Sequence, residues 1–350
     1  MKTDYIIVGQ GLAGSAVALQ LLKRGRSVMV FDEGHANTSS RIAAGMFNPI
    51  TGKRMLRTWM AKELFPYLSE FYKEAETMTG SSFFFPKTVY RPFLNAAEHN
   101  DWMVRSADPD DGNFVESVVS AGTVPGVHDP FGGVRLKHSG YLNTSVYVEA
   151  VRNLLKQRNF MQEERLHADE LVLLENSVSY RNVTAQGVIF CDGVSVLLNP
   201  HFQGLAVKPL KGETLTIKTD WREDVILNRG VYMVPGKAGN EYRVGSTYDY
   251  QDGEPATTDR ARAELTERLD AIFQGGYEVT GQDYGFRPTT ADRRPIVGRH
   301  PVHKTIMILN GLGTKGVSLA PYFSEVLVRY IENQSPIPGQ ADVTRFKLLY

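Results

Sequence analysis

The segment from Tyr5 to Asp32 constrains this chain more than any other. An apolar run, Tyr5-Ile6-Ile7-Val8, passes directly into Gly9-x-Gly11-x-x-Gly14. A short apolar run bounded by glycine suits a strand buried on both faces. From Ala13 onward the apolar residues Ala16, Val17, Leu19, Leu21 and Leu22 fit a helix, closed by Gly25 behind Lys23-Arg24. Glycine and terminal cations are what a helix C-terminus favours. Ser27 to Phe31 reads as a second strand ending at Asp32. Strand, turn, helix and strand within about thirty residues make a βαβ unit. In such a unit Gly9 permits the turn, Gly11 lets a pyrophosphate approach the backbone, and Gly14 lets the helix close on the strand. The helix N-terminus, with Leu12 and Ala13, offers free N–H groups to phosphate. Asp32 lies 18 residues beyond Gly14, where a carboxylate accepts from a ribose hydroxyl and repels a 2′-phosphate. The unit reads as a dinucleotide site, the alternative being a glycine turn without ligand. It does not separate FAD from NAD.

Beyond it, Thr38 to Lys53 is rich in small residues with weak periodicity, and Met60 to Met78 fits a long amphipathic helix with Pro66 at a boundary or kink. Phe83 to Phe93 reads as strand, and the polar stretch Asn95 to Gly133 as loop and short strand. Asn143 to Arg158 is helical, with Asn143 or Thr144 as cap. Strand-like runs follow at 170–174, 178–180, 187–191, 213–218, 231–234 and 243–246, then a helix at 258–273 capped by Thr257 or Thr258. A last buried strand at 305–309 leads into Gly311-x-Gly313-x-x-Gly316 and a helix at 317–331. The expected fold class is α/β with an α+β second part: a Rossmann-like binding domain beside an antiparallel-sheet substrate domain. The expected division is 1–82, 138–207 and 286–350 for the first, 83–137 and 208–285 for the second.

Thirty-nine basic and 39 acidic residues balance, so no global field favours nucleic acid or an anionic membrane. Cys191 is the single cysteine, which excludes an intramolecular disulfide and suits a reducing compartment. The N-terminus has no secretory pattern and no run is long and apolar enough to span a bilayer, so a cytoplasmic location is expected. His300 and His303 come close to ligand spacing but lack a third ligand, and no metal site is expected.

Four segments resemble the D-amino-acid oxidase superfamily of FAD-dependent oxidoreductases, nearest its glycine/sarcosine oxidase branch. They are the N-terminal unit; Ser39-Ser40-Arg41-Ile42-Ala43-Ala44-Gly45-Met46; Val188 to Gly193 with Lys208-Pro209-Leu210-Lys211-Gly212-Glu213; and Gly285-Phe286-Arg287-Pro288 through Pro295-Ile296-Val297-Gly298 to Asn310-Gly311-Leu312-Gly313-Thr314-Lys315-Gly316. The resemblance implies FAD, held non-covalently, since Cys191 is not where covalent attachment occurs in sarcosine oxidases. It implies cofactor contacts from Gly9, Gly11, Leu12, Ala13, Gly14, Asp32, Glu33, Ser40, Arg41, Ala43, Ala44, Gly45, Met46, Leu166, Cys191, Asp192, Gly193, Arg287 and the run Asn310, Gly311, Leu312, Gly313, Thr314, Lys315, Gly316. The last three glycines allow close approach of a bulky ligand at a helix N-terminus; a plain helix cap is the alternative. For Cys191, packing is the expected role.

The resemblance further implies hydride transfer from a substrate carbon to flavin. The cofactor carries that chemistry, and the protein must grip the substrate carboxylate. Arg287 matches the carboxylate-binding arginine, and its fork suits the task; a salt bridge to Asp292 is the alternative. Tyr232 matches a tyrosine facing substrate, or is a core aromatic. Lys315 departs from the usual Arg-Asn-Gly pattern. It keeps a charge near flavin or substrate and is a candidate for assisting reoxidation by oxygen.

The expected substrate is a small amine with a carboxylate, an amino acid or N-substituted glycine. Two alternatives stand beside it. Ala43 to Pro49 and Gly311 to Val317 also resemble the oxidase half of the bifunctional tRNA wobble-uridine enzyme, for which Lys53, Arg54 and Arg57 would contact phosphate. A flavin-binding protein without turnover is the other. Phe47, Asn48 and residues 83–137 are expected to size the pocket.

Overall fold

The computed structural model describes residues 1–35, 37–236 and 238–349. Tyr5–Val8 is a fully buried strand, flanked in parallel by Val28–Phe31 on one side and Gly187–Phe190 on the other. The complete sheet has six strands, in the order 161–162, 28–31, 5–8, 187–190, 306–310 and 296–299, with only the last antiparallel. Burial on both faces explains the unbroken apolar runs, which alternation would have interrupted. The helices Leu12–Lys23, Thr144–Gln157 and Gly316–Asn333 pack alongside this sheet and one another. Asn143 caps the second of them by accepting from Val146 N–H.

A second sheet of eight strands takes the order 278–290, 207–218, 241–245, 231–235, 226–229, 89–92, 133–136 and 115–119. It is antiparallel except where Ile226–Arg229 meets Val89–Pro92. Its backbone is the long pairing of Val207–Lys218 with Glu278–Thr290, in which Gly212 faces Gly285 and Leu210 faces Arg287. These two strands run back to the first sheet and deliver their inner ends to its edge. The α/β class with a mostly antiparallel second sheet thus matches the expectation.

Two expectations of local structure need correction. The stretch 95–133 was expected as loop and short strand, yet Ala96–Arg105 is a helix. Asn95 Oδ1 accepts from Glu98 N–H at 2.9 Å and Glu98 accepts back from Leu94 N–H at 2.9 Å. This reciprocal cap was present in the sequence. The helix buries only Trp102, so it carries almost no hydrophobic period. The run 83–93 is also not one strand: Phe84–Pro86 joins a three-stranded sheet with 46–47 and 140–142, while Val89–Pro92 joins the large sheet. Met60 to Met78 forms as expected, over Ala61–Thr79, with Pro66 inside it. No helix among the described residues is long and apolar enough to cross a membrane.

The glycine turn separates two kinds of glycine requirement. A Cβ on Gly14 would overlap the carbonyl oxygen of Gly9, whereas one on Gly25 would meet nothing, its φ of +72° being the sole obstacle. Gly14→Ala should therefore cost more than about 3 kcal/mol, because helix and strand must part. Gly25→Ala should cost about 1–2 kcal/mol. Urea unfolding of the two variants side by side checks the order.

Candidate active site

The parallel strands end together, and the backbone there is crowded. An added Cβ on Gly9 would lie 2.6 Å from the carbonyl oxygen of Cys191, so strand 5–8 and strand 187–190 close on each other only with glycine here. Gly11 faces Ser40, whose Oγ accepts from Leu12 N–H at 3.1 Å. The helix that starts at Leu12 has no side-chain cap and no acid in its first turn. Its positive end is left for an external anion.

Asp32 sits at the tip of its strand but is already engaged. Oδ2 accepts from Gln10 N–H at 2.8 Å, and Oδ1 accepts from Gly34 N–H at 2.8 Å and pairs with Arg152. The Arg152 side chain is 4% exposed and also reaches Glu163 at 2.9 Å. A carboxylate has about four acceptor positions, so a ribose hydroxyl can still be received. Glu33 beside it pairs with His35 and, at 3.8 Å, with Arg165. Leu166 is buried in the same apolar cluster as Phe31 and Phe190. Arg152 and the buried Gln10, which donates to Ser15 and to the Val148 carbonyl, were missed by sequence reasoning. Neither carries a motif, and only the fold brings the 144–157 helix to them.

The small-residue segment runs along the other side. Ser39–Ile42 is one helical turn, against which Gly285 packs with a Cβ position 3.3 Å from Ser39 Cα. Arg41 bonds Glu149 at 3.2 Å, and the Ala43 carbonyl accepts from Thr144 at 2.9 Å. Ala44 is half-buried, and Gly45, at φ +75°, abuts the Leu142 carbonyl. Met46 takes a contact from Asn228 Nδ2 at 3.4 Å. Phe47, expected to size the pocket, is buried and stacked on Phe84. Asn48 is buried too, and its Nδ2 lacks a hydrogen-bond partner.

Asn310 joins two strand ends. Its Nδ2 donates to Asp192 Oδ1 and to the Gly193 carbonyl, both at 3.0 Å, and its Oδ1 accepts from Gly311 N–H at 2.7 Å. Burial pushes the Asp192 carboxyl up to about 7 against these hydrogen bonds. Cys191 is buried and free, its thiol raised by burial, which agrees with packing. Gly311 and Gly313 have φ of +68° and +54°. Gly316 lies against Leu12, a Cβ there coming within 2.9 Å of the leucine Cδ1. The two glycine-rich turns therefore meet side by side. Leu312 is buried and Thr314 exposed.

Of the three residues expected to act on substrate, Arg287 and Tyr232 come together. Residues 285, 287 and 289 share one face of their strand. Gly285 on that face meets Ser39, and Thr289 meets Gly313. Arg287 lies over Gly212, where any side chain would collide with its guanidinium, and donates to the Thr247 carbonyl at 3.3 Å. The Tyr248 ring is 5.2 Å away. Among the described residues no carboxylate pairs with Arg287, and Asp292 pairs with Arg345 at 3.5 Å. The alternative of an Asp292 salt bridge is not realised. Tyr232 is half-buried, with its hydroxyl beside Gly245; burial pushes it up to about 12 although Arg287 pulls the other way. Lys315 stands apart, donating to Thr58 Oγ1 at 3.4 Å. Tyr248, Thr247 and Thr58 also escaped sequence reasoning.

Together these residues can hold an extended dinucleotide: an uncapped helix end for pyrophosphate, glycines where a Cβ would intrude, and a second glycine turn at a helix N-terminus. That donor set fits FAD. The family model described as FAD dependent oxidoreductase matches residues 4–330. Among curated proteins, the chain is 24% identical over 379 residues to the tRNA 5-methylaminomethyl-2-thiouridine biosynthesis bifunctional protein MnmC of Idiomarina loihiensis, covering 99% of this chain and 59% of that protein. It is 25% identical over 370 residues to glycine oxidase of Pseudomonas putida, covering 96% of each. Among solved structures, iminodiacetate oxidase from Chelativorans sp. superposes with a TM-score of 0.81 at 18% identity, covering 98% of both chains. The chain spans 52–59% of the length of the first three curated relatives.

Asp192 gives the site a pH signature. Its carboxyl is raised above the unfolded value of 3.8, so the folded state keeps a proton that the unfolded chain has already lost. The resulting destabilisation grows as pH rises from about 4 to about 7 and is then constant. Asp192→Asn should raise stability at pH 8 by up to about 4 kcal/mol and by only about 1 kcal/mol at pH 4.5. Urea unfolding at the two pH values checks the sign.

Proposed function

Because the chain belongs to the FAD dependent oxidoreductase family, we propose that it oxidises the C–N bond of a small amino acid or N-substituted glycine. The observation that carries this reading is Arg287: a guanidinium without an acidic partner, on the strand face that meets the Ser39 turn and the Gly313 turn. Leaving an arginine unpaired in a partly buried place costs free energy, which a substrate carboxylate recovers through two parallel hydrogen bonds. Gly212 clears the space for the fork, and the Thr247 carbonyl fixes one end of it. Tyr232, a phenol protonated at neutral pH whose titration burial moves further up, can donate its hydroxyl to the same carboxylate.

FAD, held non-covalently between the two glycine turns and residues 39–46, supplies the two-electron acceptor. The protein's part is to orient the substrate carbon and exclude water. Leu12, Ala13 and Gly14 with Ser40 would take the pyrophosphate, and Asp32 a ribose hydroxyl. Gly311 to Gly316 would lie at the ring, where a helix N-terminus favours negative charge on the reduced flavin.

A second reading is favoured by one observation. The hairpin Ile50–Thr51/Leu56–Arg57 presents Lys53 and Arg54 fully to solvent at its tip. Were the N-substituted glycine part of a tRNA base, as the name of the Idiomarina relative suggests, these two would meet phosphate. Arg57 would not, since it pairs with Asp110 at 3.3 Å and approaches Asp111 at 3.9 Å.

Anaerobic mixing with glycine, sarcosine, D-alanine and D-proline should bleach the 450-nm region band of bound flavin with at least one of them; failure with all four would leave a binding protein without turnover on small amines. Arg287→Ala should lower kcat/KM by about 100-fold or more, corresponding to the 2–5 kcal/mol of a truncated charge pair, with FAD content retained. Acid precipitation should leave the yellow colour in the supernatant.

A further inference from the structure

Lys315, Arg293 and Arg294 are three neighbouring cations, and among the described residues none has a salt-bridge partner. The Lys315 amine has one hydrogen bond, the 3.4 Å contact to Thr58. The Arg294 guanidinium lies 4.3 Å from the centre of the Trp59 ring and reaches Gln340 at 3.3 Å. Arg293 is exposed. Asp292, the nearest acid in sequence, gives one oxygen to the Arg294 N–H and the other to Arg345. A chain with 39 acids for 39 bases has supplied none of their side chains to this group. The Thr58 hydroxyl continues to the Asn48 carbonyl at 3.4 Å, and the buried Asn48 Nδ2 is without an acceptor. Clustered like charges beside an unmet donor are stabilised by an anion that joins them.

The cluster has a fixed relation to Arg287. The strand 278–290 carries Arg287 and Thr289 on one face, and Gly313 packs on Thr289. The turn bearing Arg293 follows directly, its N–H donating to the Thr290 carbonyl at 3.1 Å. Strand rise sets the backbone of Arg287 about 10 Å from the start of that turn. Two flexible arginine or lysine arms span that interval from either end.

We propose that the substrate carries a second anion, on the group attached to its amine nitrogen, and that Lys315 and Arg294 bind it while Arg287 binds the carboxylate of the carbon being oxidised. This rests on the reading of the site as an amine oxidation centre and narrows its substrate class to N-substituted glycines with an anionic substituent. The glycine arm loses a hydride from Cα to flavin and a proton from nitrogen. Water then adds across the resulting C=N bond, releasing glyoxylate and an amine that keeps the second anion. Burial, with the fields of Arg294 and Arg293, lowers the Lys315 amine to about 8; an anion arriving beside it reverses that shift.

Binding tests the proposal apart from turnover. Thiodiacetate and (methylthio)acetate mimic iminodiacetate and sarcosine with sulfur in place of N–H, so they cannot form the C=N bond. Titrated into the FAD-loaded enzyme and followed by the flavin spectrum, thiodiacetate should bind at least tenfold tighter. Arg294→Gln and Lys315→Met should each shrink that ratio to threefold or less, while Arg287→Lys should weaken both ligands. Calorimetry at pH 8 in two buffers should show proton uptake with thiodiacetate in the parent enzyme and none in Lys315→Met. Equal affinity for the two ligands, or a ratio that survives in both variants, overturns the proposal. If neither ligand perturbs the flavin and neither iminodiacetate nor sarcosine reduces it, the amine-oxidation reading itself fails.

Discussion

The rest of the structure depends on a contact between two stretches of backbone. Gly9 ends the first strand with its Cα against the Cys191 carbonyl, and Gly14 in the following helix sits on the carbonyl of Gly9. Nothing larger than hydrogen fits at either point. Three elements are drawn together there: strand 5–8, helix 12–23 and strand 187–190. Their common end is a shallow floor from which Asp32, Asp192 and Asn310 rise. Gly316 repeats the device from the other side by letting Leu12 press into the start of the last helix. Packing at this density transmits position accurately, so a site made of strand ends far apart in sequence keeps one geometry.

Charge is distributed by a different rule. Several charged groups that serve the framework are paired, Arg152 with Asp32 and Glu163, Arg24 with Glu325 and Glu332, and the buried Lys211 with Asp252, while the buried Arg91 instead donates to the Ile50 and Gly52 carbonyls. Breaking such a buried pair costs about 3–5 kcal/mol, because the remaining charge is left without compensation. Arg287, Arg293, Arg294 and Lys315 also lack an acidic side-chain partner among the described residues, and all four lie on or just beyond one strand end and the turn packed upon it. A net charge of zero hides this segregation, because composition bears on a global field and not on a local cluster.

Legibility in the sequence followed the range of the interactions. The βαβ unit could be read because its signals are local: four apolar residues, three glycines at fixed offsets, and an acid at the next strand end. The last glycine turn was legible for the same reason. Helix 96–105 was missed because its one buried anchor, Trp102, gives no period, although the Asn95-x-x-Glu98 cap was in view. Arg152 could not be assigned at all, since its pairing with Asp32 joins residues 120 positions apart. Arg287 and Tyr232 were named through resemblance, and the structure places them in one sheet with strands 207–218 and 241–245 between theirs, Tyr232 opposite Gly245 and Arg287 opposite Leu210.

The departure at Lys315 gains a physical meaning from this arrangement. An arginine there would stay charged whatever surrounded it and would add a third guanidinium beside Arg293 and Arg294. A lysine can give up its proton when the neighbouring charges are unopposed and recover it when an anion arrives. Its amine, lowered to about 8 by burial and those two arginines, stands near the middle of that exchange at mildly alkaline pH. The cluster can therefore relieve part of the cost of three like charges at alkaline pH while empty and regain full charge when filled. The fork that recognises geometry is kept at Arg287, where bonds to the reacting carbon require it, and the adjustable point charge is placed where only an anionic substituent must be held.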